Sequence, residues 1–94
     1  MGTWLGSFFA FEARTIELTA PAAAGVCVLW SRGRWIYVGA SENVRVRLLA
    51  ILQGENACIS TEMPTEFGFE VIEGAEQREA RRAQLVLDLV PSCS

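Results

Sequence analysis

The chain has 94 residues, of which 51% are hydrophobic and 20% charged, with a net charge of −3. That length suits one domain and not two, and the mixture excludes both a disordered polar chain and a long apolar membrane span. Histidine and lysine are absent, so the usual zinc site and a histidine-based triad are excluded, and the eight cations, all arginines, must cluster locally to hold a phosphate.

The N-terminus carries Trp4, Phe8 and Phe11 in an apolar run, but no basic residue precedes it and Glu12 follows, which makes a poor signal peptide. These aromatics are expected to pack on the body of the domain, and the protein is expected to be cytoplasmic with no membrane partner. Thr15-Ile16-Glu17-Leu18-Thr19 alternates apolar and polar residues, which predicts a half-buried edge strand stopped by Pro21. Val26-Cys27-Val28-Leu29-Trp30 is a continuous apolar run of strand length, and Trp35-Ile36-Tyr37-Val38 repeats it after Ser31-Arg32-Gly33-Arg34, so the two predict a hairpin with positive φ at Gly33.

Ser41 as N-cap and Glu42 in the first turn predict a helix from about Glu42 to Gln53, stopped by Gly54. Its core stripe is Val44, Leu48, Ile51 and Leu52. The opposite face carries Val46, Leu49 and Ala50 where a solvated helix would carry charge, which predicts a cover, with a two-fold homodimer as the simplest one. Glu55 to Thr65 has little periodicity and contains Pro64, so it is read as a loop with a short extended piece at Ile59. Phe67 to Glu73 returns to strand character, and Ala75 to Val90 is helical in pattern up to Pro91. Cys27, Cys58 and Cys93 lie far apart, with none of the close pairs of a metal knuckle or disulfide framework, so free buried thiols are expected.

Gly25-Val26-Cys27, the hairpin, Tyr37-Val38-Gly39, and then Ser41-Glu42-Asn43-Val44-Arg45-Val46-Arg47-Leu48 together resemble the signature of the GIY-YIG nuclease family. The ending Leu85-Val86-Leu87-Asp88-Leu89-Val90-Pro91 is similar to the close of that family's last helix. The resemblance implies a small α/β domain, a sheet with an antiparallel hairpin packed between helices. The chain is accordingly read as one domain over residues 1–94, with a motif-bearing core at 25–94 and an N-terminal extension at 1–24 that supplies an edge strand.

In the family, hydrolysis of a DNA phosphodiester is attributed to hairpin tyrosines, a first-helix arginine and a last-helix glutamate that holds a divalent metal. A phenol can orient water, a guanidinium grips phosphate in a fork, and a carboxylate binds a hard cation. Tyr37 and Arg47 stand at the retained tyrosine and arginine positions. Cys27 replaces the first tyrosine, Ala40 and Ile51 replace frequent basic or histidine positions, Ser94 replaces a closing asparagine, and Arg82 stands where the metal-binding glutamate is expected. A cation cannot ligate a divalent metal. The resemblance therefore implies a degraded, non-hydrolysing binding or interaction module without a cofactor, keeping weak phosphate or nucleic-acid contact through Tyr37, Arg47 and Arg82. Two alternatives stand beside it. One is a Mg²⁺-dependent endonuclease whose carboxylate is displaced to Glu79, Glu66 or Glu62; the other is a self-associating scaffold without a nucleic-acid role. Arg82, set among Leu85, Val86 and Leu89, needs a partner, either a carboxylate such as Glu79 or Glu42 or a phosphate shared with Arg47.

Overall fold

The computed structural model describes Trp4 and residues 6–93. In chain order the elements are β1 (Phe9–Ala10), α1 (Ala13–Thr19), β2 (Gly25–Ser31), β3 (Arg34–Ser41), α2 (Val44–Leu52), α3 (Ala57–Glu62), β4 (Glu66–Val71) and α4 (Ala75–Leu89). The four strands form one sheet in the order β1-β4-β2-β3, with every pair antiparallel. Central β2 is buried along nearly its whole length, as its unbroken apolar run requires, because helices cover both faces of the sheet. On one face Cys27, Leu29, Ile36 and Phe67 pack with Ile16 of α1, Leu48 of α2 and Ile59 of α3. On the other, Val26, Val28 and Val38 pack with Leu85 and Leu89 of α4 and with Trp4.

The β2–β3 hairpin turns through Arg32 (φ 51°) and Gly33 (φ 81°), the pair of positive φ angles that a two-residue turn needs to follow the strand twist. β4 lies where strand character was expected. α2 covers most of its predicted span, with Val44, Leu48 and Ile51 buried. Its cap, however, is Asn43 and not Ser41: Asn43 Oδ1 accepts from the Val46 N–H at 3.0 Å, while Ser41 Oγ accepts from the Asn43 N–H at 3.0 Å in the preceding turn. α4 ends at Leu89, one residue early, because Val90 takes the left-handed conformation before Pro91.

Three expectations are corrected. Thr15 to Thr19 is not an edge strand but the body of α1. In a strand Ile16 and Leu18 would share a face, yet Ile16 is fully buried and Leu18 is 72% exposed, and it is Ile16 and Ala20, four residues apart, that enter the core together. The edge is supplied instead by Phe9 and Ala10, which pair with Phe67 and Glu66. Second, the segment read as a loop contains α3. Asn56 caps it by accepting from the Ile59 N–H at 3.1 Å, and a single buried residue, Ile59, anchors it. Third, only Cys27 is a free buried thiol; Cys58 and Cys93 form a disulfide, with Cα atoms 5.8 Å apart. Thirty-five residues separate these cysteines in sequence, and only the return of the chain past β3 after α4 brings them together.

Trp4 is buried, Phe8 packs at a tilt against Trp30 and Trp35, and Phe11 packs edge-on against Phe67, so the N-terminal aromatics do cover the body of the domain. Leu49 also turns inward against the core and α1 lies alongside α2, where Arg45 Nε donates to the Ala20 carbonyl at 2.8 Å. Of the apolar stripe expected on the outer face of α2, Val46 remains 60% exposed. Among the described residues, no helix is long and apolar enough to cross a membrane.

Candidate functional site

Tyr37 lies on β3 opposite Leu29, and Gly39 lies on the same face opposite Cys27. The phenol runs along the strand toward Gly39. A Cβ on that glycine would stand 2.1 Å from Tyr37 Oη and 2.5 Å from Cζ, so the missing side chain is what lets the ring lie there. Burial pushes the Tyr37 phenol above its ordinary value, with Cys27 and Glu55 adding to the rise and the guanidiniums of Arg47 and Arg82 opposing it. Cys27 is fully buried, and burial pushes its thiol up to about 12 against the pull of Arg47 and the Gly39 backbone. Both groups are therefore neutral at physiological pH. Cys27, which the resemblance sets at a tyrosine position, brings no phenol there.

The fold thus brings Tyr37, Arg47 and Arg82 into one electrostatic neighbourhood from β3, α2 and α4. Each arginine has an acidic companion. Arg47 Nη1 stands 3.7 Å from Glu55 Oε1, both side chains being well exposed. Arg82 grips Glu79 from both sides of its fork, with Nε 3.0 Å from Oε1 and Nη2 on Oε2. The bond to Arg82 holds the Glu79 carboxyl below its usual range and raises Arg82 in return. Of the two partners weighed for Arg82, the carboxylate is the one in contact.

Beside this cluster an open groove of about 620 Å³ lies between the end of β3, the start of α2 and the first turns of α4. Glu42, Arg47, Glu55, Arg78 and Glu79 supply its charges, three carboxylates against two guanidiniums, and Ala40, Ser41 and Asn43 line part of it. Tyr37 and Arg82 do not line the groove; they adjoin it through Arg47 and Glu79. Arg78 is held by the carbonyls of Ile72 and Glu73, at 3.3 and 3.0 Å, and staples the turn into α4. The other carboxylates considered as displaced ligands lie elsewhere: Glu62 pairs with Arg34 at 2.8 Å near the hairpin, and Glu66 sits on β4, with β2 between it and β3. Ser94 lies outside the described residues.

This donor set does not fit a divalent cation. Glu55, the carboxylate that acts on the Tyr37 phenol, faces Arg47, Glu79 is bonded to Arg82, and both guanidinium charges act on the phenol. Among the described residues no three histidine, cysteine, aspartate or glutamate side chains gather as a ligand set. The sequence missed two features of the site. The companion role of Glu55 is hidden because it lies beyond the end of α2, and the approach of Cys93 to β3 is hidden by its distance along the chain.

No protein-family model and no curated protein matches the sequence. Among solved structures, the chain is similar to the GIY-YIG N-terminal endonuclease domain of UvrC from Thermotoga maritima bound to its catalytic divalent cation, magnesium. That match has a TM-score of 0.72 at 23% identity and covers 85% of this chain and 92% of that one. Two point mutants of the same domain, also bound to the cation, match with a TM-score of 0.72 at 23% and 22% identity, each over 85% of this chain. At this identity the likeness shows the architecture alone, and together with the four-stranded antiparallel sheet between helices it gives the chain a GIY-YIG-like fold.

Proposed function

We propose that the chain is a GIY-YIG-fold binding module that recognises phosphate groups, as in nucleic acid, without hydrolysing them. The observation that carries this reading is the Arg82–Glu79 pair. At the place where the resemblance expects a metal-binding carboxylate, a guanidinium is fixed beside Tyr37 and the nearest carboxylate is bonded to it. Catalysis by a single metal depends on the ion for transition-state charge stabilisation, and these residues offer it no site. They offer instead two forks, on Arg47 and Arg82, suited to phosphate oxygens. Glu79 occupies the Arg82 fork, whereas Glu55 only stands 3.7 Å from Arg47. Because exposed ion pairs contribute little, a phosphate can displace them.

With a net charge of −3 the affinity for a generic duplex is expected near 10⁻⁴ M or weaker at physiological salt, falling as salt rises. The test is incubation of supercoiled and branched DNA with Mg²⁺ or Mn²⁺, beside a low-salt titration of a short labelled duplex against wild type and Arg47→Ala. No cleavage and weaker binding by the variant are expected. Metal-dependent cleavage would restore the endonuclease reading with Glu79 as its carboxylate, and equal binding by both proteins would remove the phosphate site.

A further inference from the structure

After α4 the chain does not run off into solvent. Val90 adopts φ 49°, ψ 61°, a left-handed conformation that a β-branched residue rarely takes. That turn carries Ser92 and Cys93 back along β3, where the Ser92 N–H donates to the Trp35 carbonyl at 3.2 Å and the Cys93 N–H to the Ile36 carbonyl at 2.7 Å. Cys93 packs against the same core cluster as Tyr37, the residue after Ile36. The disulfide to Cys58 then ties this segment to α3. An unfavourable turn and two hydrogen bonds would hold this short segment only loosely; the disulfide adds a covalent tie.

We propose that the Cys58–Cys93 bond is a redox latch: oxidised, it holds residues 91–93 against β3 and closes the flank of Tyr37; reduced, it releases them and opens that flank. As regulation of the ligand site, the latch rests on the phosphate reading above, but the opening itself is read without any ligand. Cys58 is exposed whereas Cys93 is half-buried, so attack is expected at the Cys58 end of the bond. The thiolate of an external dithiol attacks Cys58 Sγ, and the Cys93 thiolate leaves and takes up a proton. The second thiol of the reagent then resolves the mixed disulfide, giving two protein thiols and an oxidised dithiol for two electrons transferred. Cys27 takes no part, being fully buried and protonated.

The test compares wild type before and after dithiothreitol, and again after reoxidation, with the double variant Cys58→Ser, Cys93→Ser. Two readouts are used: hydrogen exchange of the Ser92 and Cys93 amides, and ultraviolet titration of the phenol. Tyr37 is the only tyrosine of the chain, so the phenolate signal belongs to it alone. Reduction is expected to speed exchange of the two amides by at least about tenfold and to leave the β2 amides the slowest in the chain, since those open only on global unfolding. It is also expected to lower the Tyr37 midpoint toward that of an exposed tyrosine, with reoxidation restoring both and the double variant matching the reduced protein. Unchanged exchange or an unchanged midpoint would overturn the latch. So would loss of protection throughout the sheet on reduction, which would make the bond a staple of the whole fold.

Discussion

At the scale of single residues the site depends on one absent side chain. Gly39 leaves room for the Tyr37 ring, so Gly39→Ala forces the ring off the strand or the strand out of register. The expected outcome is a loss of about 1–3 kcal/mol in chemical denaturation, as for overpacked sites, together with a Tyr37 midpoint closer to that of a free phenol. Burial of Cys27 and Tyr37 gives a second expectation. Both are held above their ordinary values, so the folded state keeps protons that the unfolded chain gives up, and stability must fall as pH rises. For Cys27 that contribution is intact below pH 9.0 and is lost as pH climbs toward about 12. Urea unfolding at a series of alkaline pH values should show this decline, and Cys27→Ala should flatten it. The motif residues were legible because their spacing is local. The charge companions were only partly so: Glu79 could be named from its place one turn before Arg82, whereas Glu55 needs the chain to turn after α2.

At the scale of elements, legibility followed the amount of apolar surface each segment buries. β2, β3, α2 and α4 carry several core residues at a clear period and were read with errors of one or two residues at their ends, except that β3 runs three residues past Val38, to Ser41. α1 and α3 were missed because each buries one residue of its own, Ile16 and Ile59, and a single buried residue has no period. Their helicity comes from the ends and from the tertiary context, through the Asn56 cap of α3 and the packing of α1 along α2. The cap of α2 likewise went to the residue whose side chain reaches the third amide, Asn43. Asn43→Ala should therefore cost about 1 kcal/mol in denaturant unfolding, whereas Ser41→Ala, which disturbs only the preceding turn, should cost less. Equal losses from the two would show that the helix is capped as the sequence alone suggested.

At the scale of the whole molecule, two long-range ties decide the outcome. The disulfide closes a loop of 35 residues that contains β4 and α4, and by the entropy of that loop it should contribute about 4 kcal/mol, seen as a lower midpoint for Cys58→Ser, Cys93→Ser in urea. Neither cysteine announces its partner in sequence, since the pairing exists only after α4 has packed across the sheet. The second tie is the meeting of β3, α2 and α4 that places Arg47 and Arg82 beside Tyr37. The central claim is that Arg82 replaces a metal as the positive charge of the site and that Glu79 occupies it until a phosphate arrives. The most direct measurement is a low-salt titration of a short labelled duplex in EDTA against wild type, Glu79→Gln and Arg82→Ala. Binding should need no metal, should tighten several-fold in Glu79→Gln, where the fork is freed, and should weaken several-fold in Arg82→Ala. Binding that requires Mg²⁺ and is lost in Glu79→Gln would contradict the account, because Glu79 would then be a metal ligand and Arg82 only its neighbour.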